Sequence, residues 1–189
     1  HPLFNTVFAT DHAAGQLLKL DENGELLASA GTGLPEKPIL RLESGLLFMN
    51  SAEAPAISVF RPDDDGFGRQ LDEILLLPPA AVAAEQSVIR DFLWSAQHWW
   101  VILENPDTGN AGLYRFDGRW NFISQPPLPA GTAPEQLINR GQKTLVADSK
   151  QLAITRFNAS GEPEAALVSK LLENSVAKQK KTDGLVQLG

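Results

Sequence analysis

The sequence predicts an all-β chain organised as a β-propeller, either four blades or a four-blade fragment of a larger ring. Three observations predict it. Residues 11–25 align without a gap on residues 148–162, with Asp, Gly and Glu identical and Leu/Ile, Lys/Arg, Leu/Phe and Asp/Asn pairs at matching places. The core of that motif, an apolar residue, two further residues, a large apolar anchor and then a turn, occurs four times, with anchors Leu20, Phe60, Phe116 and Phe157. The anchors are 40, 56 and 41 residues apart, and a four-stranded propeller blade repeats at roughly 40–45 residues.

Each repeat then reads as strands in order. Short apolar runs at 7–9, 46–49, 99–103 and 145–147 precede the motif cores, and runs of this kind bounded by turn residues suit buried strands. The cores themselves, 17–20, 57–60, 113–116 and 154–157, form the next strand. A turn rich in Asp, Asn and Gly follows each one, at 21–24, 62–66, 117–118 and 158–161. Those residue types tolerate the positive φ of tight turns. Exit strands follow at 25–28, 74–77, 120–123 and 165–168, and entry strands precede repeats two to four at 38–42, 87–93 and 136–139.

The repeats therefore span about 1–33, 34–79, 87–129 and 134–170 of a single domain, 1–189, with 171–189 as a closing segment. The long middle step places an insertion at 80–86. Repeat one has no entry strand of its own, and 185–188 is expected to pair into it and close the ring, which would remove an exposed sheet edge. The alternative is that Leu185 opens a fifth blade. Apolar positions 168, 171, 172 and 176 sit near helical spacing, so a short amphipathic helix is expected over 167–181. The prolines of 125–129 fall where a connection between repeats is expected, and a linker is the reading preferred over an SH3-type ligand.

Residues 8–25 and 146–162 carry an apolar-Ala-x-Asp or apolar-Ala-Asp stretch and then Leu/Ile-x-Lys/Arg-Leu/Phe-Asp/Asn-x-x-Gly-Glu. That pattern resembles blades of the NHL and YWTD-like six-bladed propeller superfamily. The resemblance implies a binding platform, or, for a minority of such propellers, a lactonase- or esterase-like enzyme with a metal at the central channel. It also implies a periplasmic or secreted location. The start at His1 and the absence of a signal-peptide apolar core fit a processed chain or an excised piece.

Composition narrows the partners. With 189 residues and 43% hydrophobic residues, the chain can bury one good core. A formal charge of −7 argues against a nucleic-acid surface, and the only basic cluster, 178–181, is short. No apolar run reaches the roughly 20 residues of a membrane span. Cysteine is absent, which excludes disulfides and thiolate chemistry.

Asp11, Asn50, Glu104 and Asp148 occupy one repeat position, just after the second strand. Four oxygen-bearing side chains at a symmetric position suit calcium or another hard divalent cation if they converge. The preferred reading is that each caps its own turn. The acidic turns at 63–66 and 107–110 lack the spacing of a calcium loop. The three histidines, His1, His12 and His98, offer no zinc spacing, and Ser95 with His98 falls in a strand hairpin unsuited to a triad. No nucleophile elbow or Gly-rich phosphate loop is present.

The aromatic residues are the strongest binding hint. Trp94, Trp99, Trp100, Tyr114 and Trp120, every Trp and the only Tyr, fall in repeat three. Exposed, they would suit a glycan or protein partner; packing between blades is the preferred reading. The expected function is a non-catalytic binding or assembly module without a cofactor, engaging a protein or glycan through a propeller face. The alternatives are a metal-dependent lactonase- or esterase-like hydrolase built on Asp11, Asn50, Glu104 and Asp148, or a structural repeat segment of a larger surface protein.

Overall fold

The computed structural model describes residues 5–51, 54–77, 87–151 and 153–164. They form four antiparallel sheets in chain order. The first holds β1 (Thr6–Asp11), β2 (Gln16–Asp21) and β3 (Leu26–Gly31); the second holds β4 (Leu40–Glu43), β5 (Leu46–Asn50), β6 (Ala56–Phe60) and β7 (Gln70–Leu75). The third holds β8 (Val88–Ser95), β9 (His98–Glu104), β10 (Ala111–Phe116) and β11 (Phe122–Ser124). The fourth holds β12 (Gln136–Arg140), β13 (Lys143–Asp148), β14 (Ala153–Phe157) and β15 (Pro163–Glu164). Each strand pairs with its neighbours in the chain, the up-and-down order of propeller blades. The fold is propeller-like, and the first blade has three strands among the described residues.

Three exit strands start two or more residues from expectation, and that of blade three begins at Phe122, where 120 was expected. The exit strand of blade two begins at Gln70, not at 74, because a 3-10 turn over Asp64–Gly66 ends early and the Arg61 N–H returns to the Arg69 carbonyl. The exit strand of blade four begins at Pro163, where 165 was expected. The expected insertion at 80–86, the helix at 167–181 and the closing strand at 185–188 lie outside the described residues.

In blades one, three and four the turn after the motif core has one chemistry. The Asp21 carboxylate accepts the N–H groups of Asn23 and Glu25; Asp117 does the same for Arg119 and Asn121, and the Asn158 side-chain oxygen for Ser160 and Glu162. An acceptor at the first turn position fixes the chain reversal locally. Gly24 and Gly161 then take φ of +85° and +84°, and the matching residue of blade three is Trp120, at +65°. A bulky L residue there is strained, so packing must hold it.

The hydrophobic core is distributed between blades. Leu17 of blade one packs with Leu47, Met49 and Phe60 of blade two. Ile57 and Val59 of blade two pack with Phe92, Trp99, Tyr114 and Phe116 of blade three. Leu113 and Trp100 of blade three pack with Leu137, Val146 and Phe157 of blade four. Because strand side chains alternate between faces, the first and third residues of each motif core face the following blade. The second and fourth face the preceding one. Each fully buried side chain of this size contributes about 1.5–3 kcal/mol.

Candidate functional site

The first strands of blades two, three and four lie side by side, and in each blade the start of the first strand pairs with the end of the second. Leu40 lies opposite Met49, Val88 opposite Glu104 and Gln136 opposite Ala147. The entry loops and the turns after β5, β9 and β13 therefore share one end of the assembly. A cleft of about 500 Å³ opens there, lined by Pro38–Arg41, Arg90, Asp91, Glu135 and Gln136.

Asp91 organises the cleft. A bulge in β8 between Ile89 and Asp91 shifts the register against β9, and such bulges re-aim side chains. The Asp91 carboxylate, 4% exposed, accepts from Arg41 Nη2 at 2.7 Å, from the Phe92 N–H at 2.8 Å and from the Leu137 N–H at 2.7 Å. Arg41 Nε donates to the Phe92 carbonyl at 2.9 Å. One carboxylate thus ties the first strands of three blades. Burial pushes its pKa above the ordinary value, and the Leu137 N–H and the Arg41 guanidinium work against that rise.

Arg90 lies beside this group and pairs with Glu104 through Nε and Nη2. The Glu104 bond and charge raise the Arg90 pKa, with Glu135 contributing from across the cleft. The cleft wall therefore carries two guanidiniums, each already paired with an acid (Arg41 with Asp91, Arg90 with Glu104), together with a carboxylate at Glu135 and an amide at Gln136. Such a wall can recognise a carboxylate or several hydroxyl groups, since a planar guanidinium offers five donors.

The four repeat-position oxygens lie at this same end, and each is engaged within its own blade. The Asp11 carboxylate accepts the Ala14 N–H. Asn50 accepts from the Ile39 N–H and donates to the Lys37 carbonyl. Glu104 binds Arg90. Asp148 accepts the N–H groups of Ala133, Lys150 and Gln151; burial opposes the charge, but those three donors together hold its pKa below the ordinary value. Among the described residues, no group of three or more His, Asp or Glu side chains is placed to share a metal ion.

The aromatic hint is corrected by burial. Trp100 and Tyr114 are 0% and 1% exposed, and Trp99 is 3% exposed. Trp99 stacks on Trp120 with ring centroids 4.4 Å apart and meets Trp94 edge-on at 5.3 Å. Trp100 donates Nε1–H to the Ser95 carbonyl and lies under the Arg115 guanidinium. Trp94 and Trp120 are half-buried against the core between blades two and three. The sealed rings of Trp99, Trp100 and Tyr114 offer no face to a ligand and join blades, while Trp94 and Trp120 keep part of their surface exposed at the same seam. Sequence reasoning missed the cleft residues Arg41, Arg90 and Asp91 altogether, because they meet only through register across blades.

No protein-family model matches the chain, and no curated protein sequence matches it. Solved structures do. Virginiamycin B lyase from Staphylococcus aureus matches with a TM-score of 0.56 at 15% identity, over 84% of this chain and 50% of that one. A periplasmic gluconolactonase from Pseudomonas aeruginosa matches with a TM-score of 0.52 at 18% identity, over 88% and 51%. At such identity the likeness shows the fold alone, and the chain spans about half the length of these structures.

Proposed function

We propose that this chain is a binding module whose cleft at the first-strand ends takes a small hydroxylated ligand bearing a carboxylate, of the sugar-acid kind. The observation that carries the reading is the polar wall of Arg41, Arg90, Glu135 and Gln136 around a cleft large enough for such a molecule. The gluconolactonase among the similar structures supports the ligand class, and its being a periplasmic protein supports a location outside the cytoplasm. The NHL- or YWTD-like affiliation of residues 11–25 and 148–162 points to the same platform role.

Binding is favoured over hydrolysis by how the acids are used. Asp11, Asn50, Glu104 and Asp148 are each held within their own blade, and Asp91 is held by three donors. A metal-assisted hydrolase needs such groups converging around one open position, and among the described residues they do not.

Titration calorimetry with gluconate, galacturonate and uncharged glucose tests the reading. Binding of the acids but not of glucose is expected, weakened at least tenfold in Arg90→Ala. No heat with any of them, or equal binding in Arg90→Ala, overturns it. Hydrolysis of gluconolactone above the blank rate and abolished by a chelator would replace it with the hydrolase reading.

A further inference from the structure

The burial of the four motif cores is regular except at two places. The first core residue is sealed in Leu17, Ile57 and Leu113, each against the following blade, but Ile154 is only half-buried. The fourth residue is sealed in Phe60, Phe116 and Phe157, each against the preceding blade, but Leu20 is only half-buried. The exceptions are the two outward faces of the arc: the following side of blade four and the preceding side of blade one. Val7 and Leu26, which share the Leu20 face, are 52% and 60% exposed.

The third core residue shows what each face is built to hold. Lys19 of blade one, 5% exposed, reaches Asp64 in the turn of blade two. Arg115 of blade three, 4% exposed, donates to the Ala159 and Ser160 carbonyls in the turn of blade four. In blade two the position is Val59, buried in the interface. Arg156 is the same position in blade four, and it is folded back on Glu164 of its own blade. The blade-one turn matching Ala159 and Ser160 is Glu22 and Asn23, so it offers two carbonyls and an acidic side chain.

We infer that blade four docks blade one of a second copy of this chain, head to tail. Arg156 clasps the Glu22–Asn23 turn, and Ile154 packs on Leu20. Apolar face meets apolar face, and a cation meets the acidic turn. Repeating the contact at the other pair of faces closes a two-copy ring, as heterologous interfaces do when the rotation allows.

Analytical ultracentrifugation of the chain over a wide concentration range tests this. A species of twice 20.5 kDa that dissociates on dilution is expected. Arg156→Glu should raise the dissociation constant at least tenfold, and Glu22→Lys in the same chain should restore most of the loss. Leu26→Glu, at an already exposed position, should also weaken the dimer without unfolding the monomer, as checked by circular dichroism. A monomer at every concentration, or a dimer indifferent to both Arg156→Glu and Leu26→Glu, overturns the inference.

Discussion

Replacing Asp91 by Ala removes the acceptor that joins three blades. The Leu137 N–H, in a residue 3% exposed, loses its acceptor, and so does the buried Phe92 N–H. An orphaned buried donor costs about 1–3 kcal/mol. Arg41 loses a charge-assisted bond, but its side chain is 38% exposed, so solvent recovers part of that term. The sum is about 3 kcal/mol, at the lower end of the 3–5 kcal/mol range for breaking a fully buried pair. Asp91→Asn keeps one acceptor for Leu137 and should cost about half as much. Urea unfolding measures both, and the slope should stay constant while the midpoint falls. A double-mutant cycle with Arg41→Met should return a coupling of about 1 kcal/mol or more. A loss below about 1 kcal/mol in Asp91→Ala would refute the assignment of this carboxylate as the tie between blades.

Other outcomes follow from the same geometry. Trp120→Gly should destabilise less than Trp120→Ala, by about 1 kcal/mol, because Gly relieves the +65° φ while both lose the stack on Trp99; equal thermal midpoints would count against strain there. Gly68→Ala should cost more than about 2 kcal/mol in urea unfolding, since φ is +72° and a Cβ would lie 2.1 Å from that of Ala30. Acid should unfold the protein below about pH 4. The Glu25 N–H holds the pKa of Asp21 down, Asn121 that of Asp117, Arg61 that of Asp63 and Lys143 that of Glu164, and Asp148 is lowered by its backbone donors. Such groups stabilise the fold above their unfolded pKa, and that contribution is lost as pH falls through the folded one. Asp91, raised by burial, has the opposite sign, its contribution fading as pH rises, and is outnumbered. A melting temperature constant from pH 6 to pH 3 would contradict this.

The blades were legible because their signals are local. The anchors Phe60, Phe116 and Phe157 are sealed, and the Asp/Asn turns close by side-chain bonds within four residues. Asp11 and Asp148 do bond to the turn that follows them, whereas Asn50 bonds back to the entry loop at Lys37 and Ile39 and Glu104 pairs with Arg90. The cleft was not legible. Arg41 and Asp91 are 50 residues apart, and their meeting depends on a bulge at Ile89/Asp91 that leaves no pattern in the sequence. Exposure of the tryptophans was equally hidden, because which face of β9 is outward depends on which blades flank it. The early start of β7 was missed because Gln70–Leu75 is polar and mostly exposed, with little apolar alternation to announce a strand.

That the apolar clusters sit between blades and not within them makes the molecule behave as a short linear lattice. Its cohesion is a sum of nearest-neighbour couplings, in which an inner unit has two bonds and a terminal unit one. Opening then spreads inward from the ends, as in a zipper. In the dissociated monomer, blade three, flanked on both sides and carrying the indole stack, should retain amide protons longest, and β1 to β3 should exchange first. An arc of this kind is cooperative only as far as its weakest seam permits, and each added neighbour at an end would lengthen the protected run by one blade.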